Sequence, residues 1–351
     1  MTAKQEPTQE LDDLDREILN AVQWDFPLEE RPFAALGERT GATEPAVRDR
    51  LRKAKELGVL RQLSAIYDTR TLGYASSLVA ATIQPDRVDE AAAVISEHPG
   101  VSHNYKRNHD FNLWYTLAVP PGDSLAEHVD VLHNASGSLT TRVLPTLKLF
   151  KIGVKLDMTG KTTAAAKTEI RPEQRPERKN DGPPVLSDRE MAVISVTQQD
   201  LPLVEEPFAA VGEPVGLTGA DVLDVLRTFE DRKLMRRFAA VMNHRSAGFK
   251  ANAMGVWVIP EDSIEELGQR MAAYAAVSHC YRRPTYPDWP YSVFTMVHGR
   301  TAQDCEETIA AISRETGVSE YTLLWSVKEY KKVRLRYFTS DWDVWRSRNL
   351  A

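Results

Sequence analysis

Two heptapeptides in this chain combine an imidazole, a phenol and a guanidinium in the same order. Residues 101–107 read VSHNYKR, and residues 277–283 read VSHCYRR. Side chains alternate between the two faces of a strand, so the histidine, tyrosine and last arginine of each segment share one face, about 7 Å apart. Such a face can supply a proton, orient a polar group and bind a carboxylate. We predict that both segments are strands that form a functional site.

Each residue type suggests a role. His103 and His279 are the candidate acids, because an ordinary imidazole has a pKa near 6.5. Tyr105 and Tyr281 are alternative acids or orienting groups. Arg107 and Arg283 supply a fixed cation to the same face, whereas Arg282 faces the other way. Cys280 replaces Asn104 of the first segment and is predicted to be a small filler.

The elements that must position these residues are duplicated as well. EERPFAALGERTG is answered by VEEPFAAVGEPVG, and YDTRTLGY by MNHRSAGF, both at an offset of 175 residues. The repeat covers most of both halves, and the second copy gains a short insertion, PTYPDWP. The stretch 157–185 is polar and rich in Lys, Glu and Pro, which predicts a flexible tether between the copies.

Each copy begins with helical patterns broken at a glycine and continues with an order of strands and helices typical of a ferredoxin-like unit. The predicted fold class is therefore α+β, a tandem repeat of a winged helix-turn-helix and a ferredoxin-like domain. The predicted boundaries are a first winged helix-turn-helix at 1–60, a first ferredoxin-like domain at 61–156, a linker at 157–185, a second winged helix-turn-helix at 186–235, a second ferredoxin-like domain at 236–339 and a tail at 340–351.

This layout resembles the Lrp/AsnC family, in the stretches LDREILNAVQ, GATEPAVRDRLRKAKELGVLR and YDTRTLGY. Members of that family normally carry one copy per chain and dimerise, so two fused copies look like an internal pseudo-dimer. The strings SHNYKRNHDFNLWYTL and SHCYRRPTYPDWPYSVFTMVHGRT are similar to the two subunits of siroheme decarboxylases, which are built on the same frame. This resemblance covers nearly the whole chain outside the tether and the tail.

The resemblance implies a carboxy-lyase that removes carbon dioxide from two acetate arms of siroheme, giving didecarboxysiroheme for d-type or alternative haem biosynthesis. It implies no cofactor beyond the substrate, which carries its own iron, and we expect no metal site of the protein. It also implies that Arg107 and Arg283 clamp carboxylates of the substrate, with Arg282, which faces the other way, as a further candidate. Further substrate contacts are then expected from His109, Trp114, Trp289 and Tyr291, with Tyr115 nearby. Core packing is the alternative for the tryptophans, and a turn is the alternative for His109.

The last strand of each copy carries aligned lysines. Lys148 corresponds to Lys328, and Lys151 to Lys331, at an offset of 180 residues. They are expected to bind substrate propionates or, alternatively, to form a solvent face. His298, at a strand end, is expected to be structural.

Composition bears on the rival functions. The net charge is −6 at pH 7, which argues against a protein whose main task is to bind phosphates. The candidate recognition helix TEPAVRDRLRKAKEL has a net charge of +2, but its counterpart TGADVLDVLRTFEDRK has −1. A DNA-binding regulator remains one alternative, and a tetrapyrrole sensor without turnover is another.

The sequence also bears on location and assembly. Two cysteines provide neither a disulfide framework nor a structural zinc site. No apolar stretch is long enough to span a bilayer, and no signal-peptide pattern is present. We expect a cytoplasmic protein that has siroheme as its partner and contacts no membrane. DNA is not the expected partner, and further homo-oligomerisation is left open.

Overall fold

The structure is a computed structural model and describes residues 11–24, 26–152, 184–242 and 251–350. The chain divides into two compact units, and both copies of the repeat contribute to each of them. The first unit comprises Met1–Tyr74, Arg178–Ser246 and Arg336–Trp342, and the second comprises Ala75–Glu177, Ala247–Leu335 and Asp343–Ala351. The predicted linker, 157–185, lies outside the described residues except for its last two.

The first unit contains the two helix-turn-helix segments. Their elements are α1 (Asp13–Trp24), α2 (Pro32–Thr40), α3 (Glu44–Glu56) and β1 (Leu60–Tyr67), followed in the second copy by α6 (Asp188–Thr197), α7 (Pro207–Gly212), α8 (Gly219–Asp231) and β7 (Met235–Met242). Strands β1 and β7 pair antiparallel, and the rings of Phe26, Phe33, Phe208 and Phe238 pack together. The two segments therefore share one apolar core.

This pairing corrects the predicted boundaries at residues 60 and 235. Strand β1 was expected to start the first ferredoxin-like domain, and β7 the second. Instead each strand completes its sheet with the strand of the other copy, inside the helix-turn-helix unit. Hydrogen bonding between the two copies determines which sheet each strand joins, and the pattern of apolar residues within one copy does not show this pairing.

The second unit is built on a nine-stranded sheet. Its elements from the first copy are β2 (Ala75–Thr82), α4 (Val88–Glu97), β3 (Val101–Arg107), β4 (Leu113–Val119), α5 (Leu125–Ser136), β5 (Thr140–Leu144) and β6 (Lys148–Ile152). Those from the second are β8 (Ala251–Trp257), α9 (Ile264–Ala272), β9 (Val277–Arg282), β10 (Val293–Gly299), α10 (Ala302–Thr316) and β11 (Tyr321–Lys332), followed by α11 (Asp341–Asn349). The strand order is β5-β2-β4-β3-β11-β8-β10-β9-β6.

The last strand of each copy joins the two copies. The first part of β11 pairs with β8 of its own copy, and the second part pairs with β3 of the other copy. The first copy does the same with two strands, because β5 pairs with β2 and β6 with β9. The last strand of the first copy is therefore broken after β5, at Pro145, which has no N–H to donate to a ladder.

Only residues 145–147 separate the two edge strands, so the sheet folds back on itself. One face of each copy packs on its own helices, around Val79, Ile95 and Leu117 in the first copy and around Val277, Ile309 and Ile312 in the second. The inward faces enclose a third core, which includes Trp114, Leu144, Val256, Trp289, Phe294 and Leu324. Among the described residues, no helix is long and apolar enough to cross a bilayer.

Candidate active site

Strands β3 and β9 carry the two motifs and turn them to the inward side of the sheet. Asn104 points the other way, where its Nδ2 donates to the Ala92 carbonyl of α4 at 3.1 Å. Cys280 does the same in the second copy, where its Sγ donates to the Gly268 carbonyl of α9 at 3.5 Å. Since neighbours alternate, the histidine and tyrosine of each motif lie on the inward face, as predicted.

A β-bulge adds a serine to each inward face. In β3 the paired residues are Val101 with Leu117 and His103 with Thr116, so Ser102 is an extra residue. The register of β9 skips Ser278 in the same way. The bulge brings Ser102 Oγ to 3.0 Å from His103 Nδ1 and Ser278 Oγ to 2.8 Å from the Nδ1 of the next histidine. Bulges commonly redirect side chains near functional sites.

The rings of each motif are stacked. The centroids of His103 and Tyr105 are 6.2 Å apart with an interplanar angle of 29°, and those of His279 and Tyr281 are 5.9 Å apart at 25°. The guanidinium carbon of Arg107 lies 5.6 Å from the centroid of the first tyrosine ring. The corresponding distance in the second copy, from Arg283, is 4.9 Å. Each motif thus forms a short stack of imidazole, phenol and guanidinium.

Both motif arginines are buried and anchored on the opposite copy. Arg107 is 6% exposed, and its Nη1 donates to the Leu324 carbonyl at 2.9 Å. Arg283 donates in the same way to the Leu144 carbonyl. Burial lowers the pKa of Arg107 to about 10, which still leaves the guanidinium charged at neutral pH. Their predicted role as carboxylate clamps stays a prediction.

Three other cations expected to meet the substrate lie on the outward face. Lys328 forms an ion pair with Asp89 of α4 at 3.0 Å, and Lys148 forms one with Glu265 of α9. Arg282 pairs with Glu261 in front of the same helix. The two lysines cannot reach a ligand at the motif from this face, and the solvent-face alternative describes them better. Lys151 and Lys331 instead donate to backbone carbonyls near the ends of α9 and α4.

The two tryptophans that were expected to contact the substrate are part of the inward core. Trp114 is 1% exposed and Trp289 0% exposed, and their centroids lie 5.2 Å apart. Trp289 follows the core-packing alternative, because its insertion folds inward onto the first copy. His109 lies edge to face with this indole at 5.4 Å, and burial lowers its pKa. Tyr291 contacts the same indole and bonds Thr322 through its hydroxyl.

The fold brings to the motifs several groups that were not predicted from the sequence. Ser102 and Ser278 are among them, and the repetition of the serine in both segments is the signal that could have indicated a role. Glu329 of β11 accepts a hydrogen bond from the Tyr105 hydroxyl at 3.4 Å. No sequence pattern placed it there, since β11 crosses to the other copy.

Comparison with known proteins identifies the family. The model of the siroheme decarboxylase NirDL-like HTH domain matches residues 15–61 and 190–236, and that of the AsnC-like ligand binding domain matches residues 71–151 and 246–331. A siroheme decarboxylase of Hydrogenobacter thermophilus is 39% identical over 93% of this chain and 96% of its own length. This chain belongs to the siroheme decarboxylase family. The predicted α+β tandem fold is thereby confirmed.

Two further relatives illustrate the forms that siroheme decarboxylases take. A crystal structure of the siroheme decarboxylase NirDL in complex with an iron-uroporphyrin III analogue matches with a TM-score of 0.78 and 33% identity, covering 96% of this chain and 99% of that one. The siroheme decarboxylase beta subunit of Methanosarcina barkeri is 42% identical over 42% of this chain and 97% of its own length. The family thus includes fused and separate subunits, which agrees with two copies joined as a pseudo-dimer.

Proposed function

We propose that this protein is a siroheme decarboxylase, which converts two acetate side chains of siroheme into methyl groups and yields didecarboxysiroheme for d-type or alternative haem biosynthesis. The observation that carries this proposal is the stack of imidazole, phenol and guanidinium, present twice on the inward face of a chain whose relatives carry that activity. A merely structural strand has no need of the same three polar groups at the same spacing in both copies.

The reaction requires few groups from the protein. The bond between the methylene carbon and the carboxylate breaks, carbon dioxide leaves, and the electron pair passes into the macrocycle. The carbon then takes up a proton, so each step consumes one proton and releases one carbon dioxide. Since the substrate itself accepts the electrons, we propose that no further cofactor takes part and that the iron is the substrate's own.

The motif residues divide this work. Arg107 and Arg283 are charged, anchored and poorly hydrated, which suits bidentate binding of a carboxylate. His103 and His279 are the proposed proton donors, with Tyr105 and Tyr281 as orienting groups or alternative donors. Burial of the carboxylate removes its water and favours loss of the neutral carbon dioxide.

The charges of α3 argue against a DNA-binding regulator. Each of its basic residues is engaged with a carboxylate of the first unit. The pairs are Arg48 with Glu205, Arg50 with Asp12 and Asp15, Arg52 with Asp49, Lys53 with Asp15, and Lys55 with Asp200. A regulator of this type reads two half-sites through equivalent helices, and α8 is acidic. We propose that the helix-turn-helix unit serves as a structural frame.

The decisive experiment is an anaerobic incubation of the purified chain with siroheme, followed by mass spectrometry of the tetrapyrrole. We expect the loss of two carbon dioxide units, whereas the double variant His103→Asn/His279→Asn binds siroheme without this loss. His133→Asn is the matched control, because His133 bonds Thr141 between α5 and β5, away from both motifs. Binding without mass loss in the wild type would support a sensor, and a salt-sensitive DNA shift without tetrapyrrole binding would support a regulator.

We also propose the setting of this activity. The chain works in the cytoplasm as an internal pseudo-dimer, and it is open to further self-association. Size-exclusion chromatography with light scattering measures the assembly, and fractionation of cells measures the location.

A further inference from the structure

The second copy of the motif contains a chain of hydrogen-bonding groups that extends beyond it. Ser278 Oγ lies 2.8 Å from His279 Nδ1 and 2.7 Å from His298 Nε2. His298 is on β10, two residues beyond Met296, the residue that pairs with His279. It therefore shares the inward face with the motif, and the β-bulge places Ser278 between the two imidazoles.

The first copy ends this chain with a hydroxyl. Ser102 Oγ lies 3.0 Å from His103 Nδ1, but its second neighbour is Thr116 Oγ1 at 2.9 Å. A threonine hydroxyl holds a serine in place, but it lacks the strong acceptor nitrogen of a neutral imidazole. The two motifs thus match in their serine and their inward-facing residues and differ in the group behind the serine.

The protonation state of His279 determines the direction of its hydrogen bond with Ser278 in the second copy. When His279 is an imidazolium, both ring nitrogens carry hydrogen, so Nδ1–H donates to Ser278 Oγ. The serine proton then goes to His298 Nε2 or to the Met296 carbonyl, which is 3.3 Å away. Burial lowers the pKa of His298, and the charge of Lys332 lowers it further, so this ring is neutral and accepts at neutral pH. The arrangement leaves Nε2 of His279 as the nitrogen that delivers a proton.

We propose that His298 is a positioning residue that acts through Ser278 to hold His279 in its proton-donating orientation, and that the two copies of the motif are therefore not equivalent. This inference rests on the proposed function. In the step concerned, the bond to the leaving carboxylate breaks, and the electron pair held in the macrocycle forms a new C–H bond with the proton from His279. The imidazole regains its proton from solvent, and no oxidant or reductant is consumed.

The test uses the full-length chain and single-turnover decarboxylation of siroheme, with siroheme affinity measured separately by absorbance titration. We expect His298→Leu to slow the reaction by about 10-fold while siroheme affinity changes less than about twofold. His298→Gln places an amide near the position of Nε2 and should restore the rate to within about threefold of the wild type. The control His133→Leu removes another bond between a histidine and a hydroxyl and should leave the rate unchanged.

A double-variant cycle identifies the route of the effect. If His298 acts through Ser278, then Ser278→Ala combined with His298→Leu is no slower than Ser278→Ala alone. Three results would overturn the inference while decarboxylation by the wild type still stands. The rate losses of the two single variants multiply in the double variant, His298→Leu lowers only siroheme affinity, or His298→Gln fails to restore the rate. A wild type that does not decarboxylate siroheme would overturn the proposed function itself.

Discussion

The two copies of the repeat agree in the residues that face the proposed substrate and differ in those that support them. Both present a serine, a histidine, a tyrosine and an arginine, and in both the arginine donates to a carbonyl of the opposite copy. Behind the serine the first copy has Thr116 and the second has His298. The two sites therefore match in the groups that face the proposed substrate and differ in the groups that orient them.

The copies also differ in how each one covers the inward core. The loop between β9 and β10 contains an insertion, in which Tyr286 and Trp289 exchange two backbone hydrogen bonds. The Tyr286 hydroxyl donates to the Val143 carbonyl at 2.6 Å, and Asp288 pairs with Arg142. The two side-chain contacts reach β5 of the first copy. The insertion of the second copy thereby fills part of the inward core of the folded sheet.

The largest effect is expected from removing the buried side chain of this insertion. Trp289→Ala deletes a fully buried indole that contacts rings from both copies, and it should lower the free energy of unfolding by about 3–5 kcal/mol. The measurement is urea denaturation followed by circular dichroism.

Trp289→Phe provides the matched control for that experiment. Among the described residues the buried Nε1 of Trp289 has no hydrogen-bond partner, so phenylalanine removes a polar atom whose burial is unfavourable and should cost much less. If alanine and phenylalanine cost the same, the insertion is not part of the core and the contrast between the copies loses its physical basis.

The next largest effect concerns the motif histidines. We expect His279→Asn to slow single-turnover decarboxylation by about 100-fold and His103→Asn by about 10-fold, because Ser278 links His279 to the imidazole of His298, whereas Ser102 links His103 to the Thr116 hydroxyl. A factor of 100 corresponds to about 2.7 kcal/mol in the barrier. Rate constants for loss of the first and second carbon dioxide, resolved by mass spectrometry, are the measurement. Equal losses of rate in the two variants would show that the two motifs are equivalent.

Periodicity and repetition predicted much of this fold, because they reflect interactions within one copy. The alternation in 101–107 correctly separated His103 from Asn104, and the duplicated helical patterns correctly gave two helix-turn-helix segments. The pairing of strands between the two copies was not predicted. Strand β1 looks like the start of a ferredoxin-like unit, yet its partner is β7, and nothing in either strand alone indicates this.

The candidate site shows the same division. The alternation of side chains along a strand correctly predicted that the histidine, tyrosine and arginine of each motif lie together. It gave no means of placing Lys148 and Lys328, because the bulges and the break at Pro145 change the register along the last strands. An aromatic residue between prolines is also ambiguous in sequence, and Trp289 turned inward because its backbone bonds to Tyr286 form a tight turn.

A third contrast involves titration. In the first copy His98 Nδ1 accepts from the Gly100 N–H, so its Nε2–H donates to His128 Nδ1 at 2.8 Å, and Asp123 lies 3.2 Å from the far nitrogen of the second ring. Trp345 stacks on this pair. The counterpart of His98 in the second copy is Tyr274, whose hydroxyl donates to a glutamate instead.

Burial lowers the pKa of His98 to about 2, helped by the nearby charges of His128 and Lys331. Because the folded pKa lies below the unfolded value of about 6.5, the stabilisation is complete above pH 6.5 and is lost as the pH falls below it. At pH 5 the loss is about 2 kcal/mol. Urea denaturation at pH 7.5 and pH 5 should show this difference for the wild type and a smaller one for His98→Leu. The same difference in both proteins would contradict the assignment.

The smallest effect expected distinguishes the helix-turn-helix segments. Thr218 caps α8 with a reciprocal pair of bonds, in which its Oγ1 accepts from the Asp221 N–H at 3.2 Å and the Asp221 carboxylate accepts from the Thr218 N–H at 2.9 Å. Thr43 caps α3 with a single bond from the Ala46 N–H at 3.4 Å. We expect Thr218→Ala to cost about 1 kcal/mol and Thr43→Ala about 0.5 kcal/mol, measured by urea denaturation.

The direction of that difference bears on what the second segment is for. A helix that reads DNA gains from positive charge near its first turn, whereas the first turn of α8 contains Asp221, which completes the cap and pairs with Arg189. We expect Thr218→Ala to lower the free energy of unfolding more than Thr43→Ala does. In that case Asp221, which makes α8 unsuited to binding phosphate, also contributes to the cap that stabilises the helix. Equal costs would leave the acidic charge of α8 without a structural reason, and they would weaken the argument that this unit is a frame.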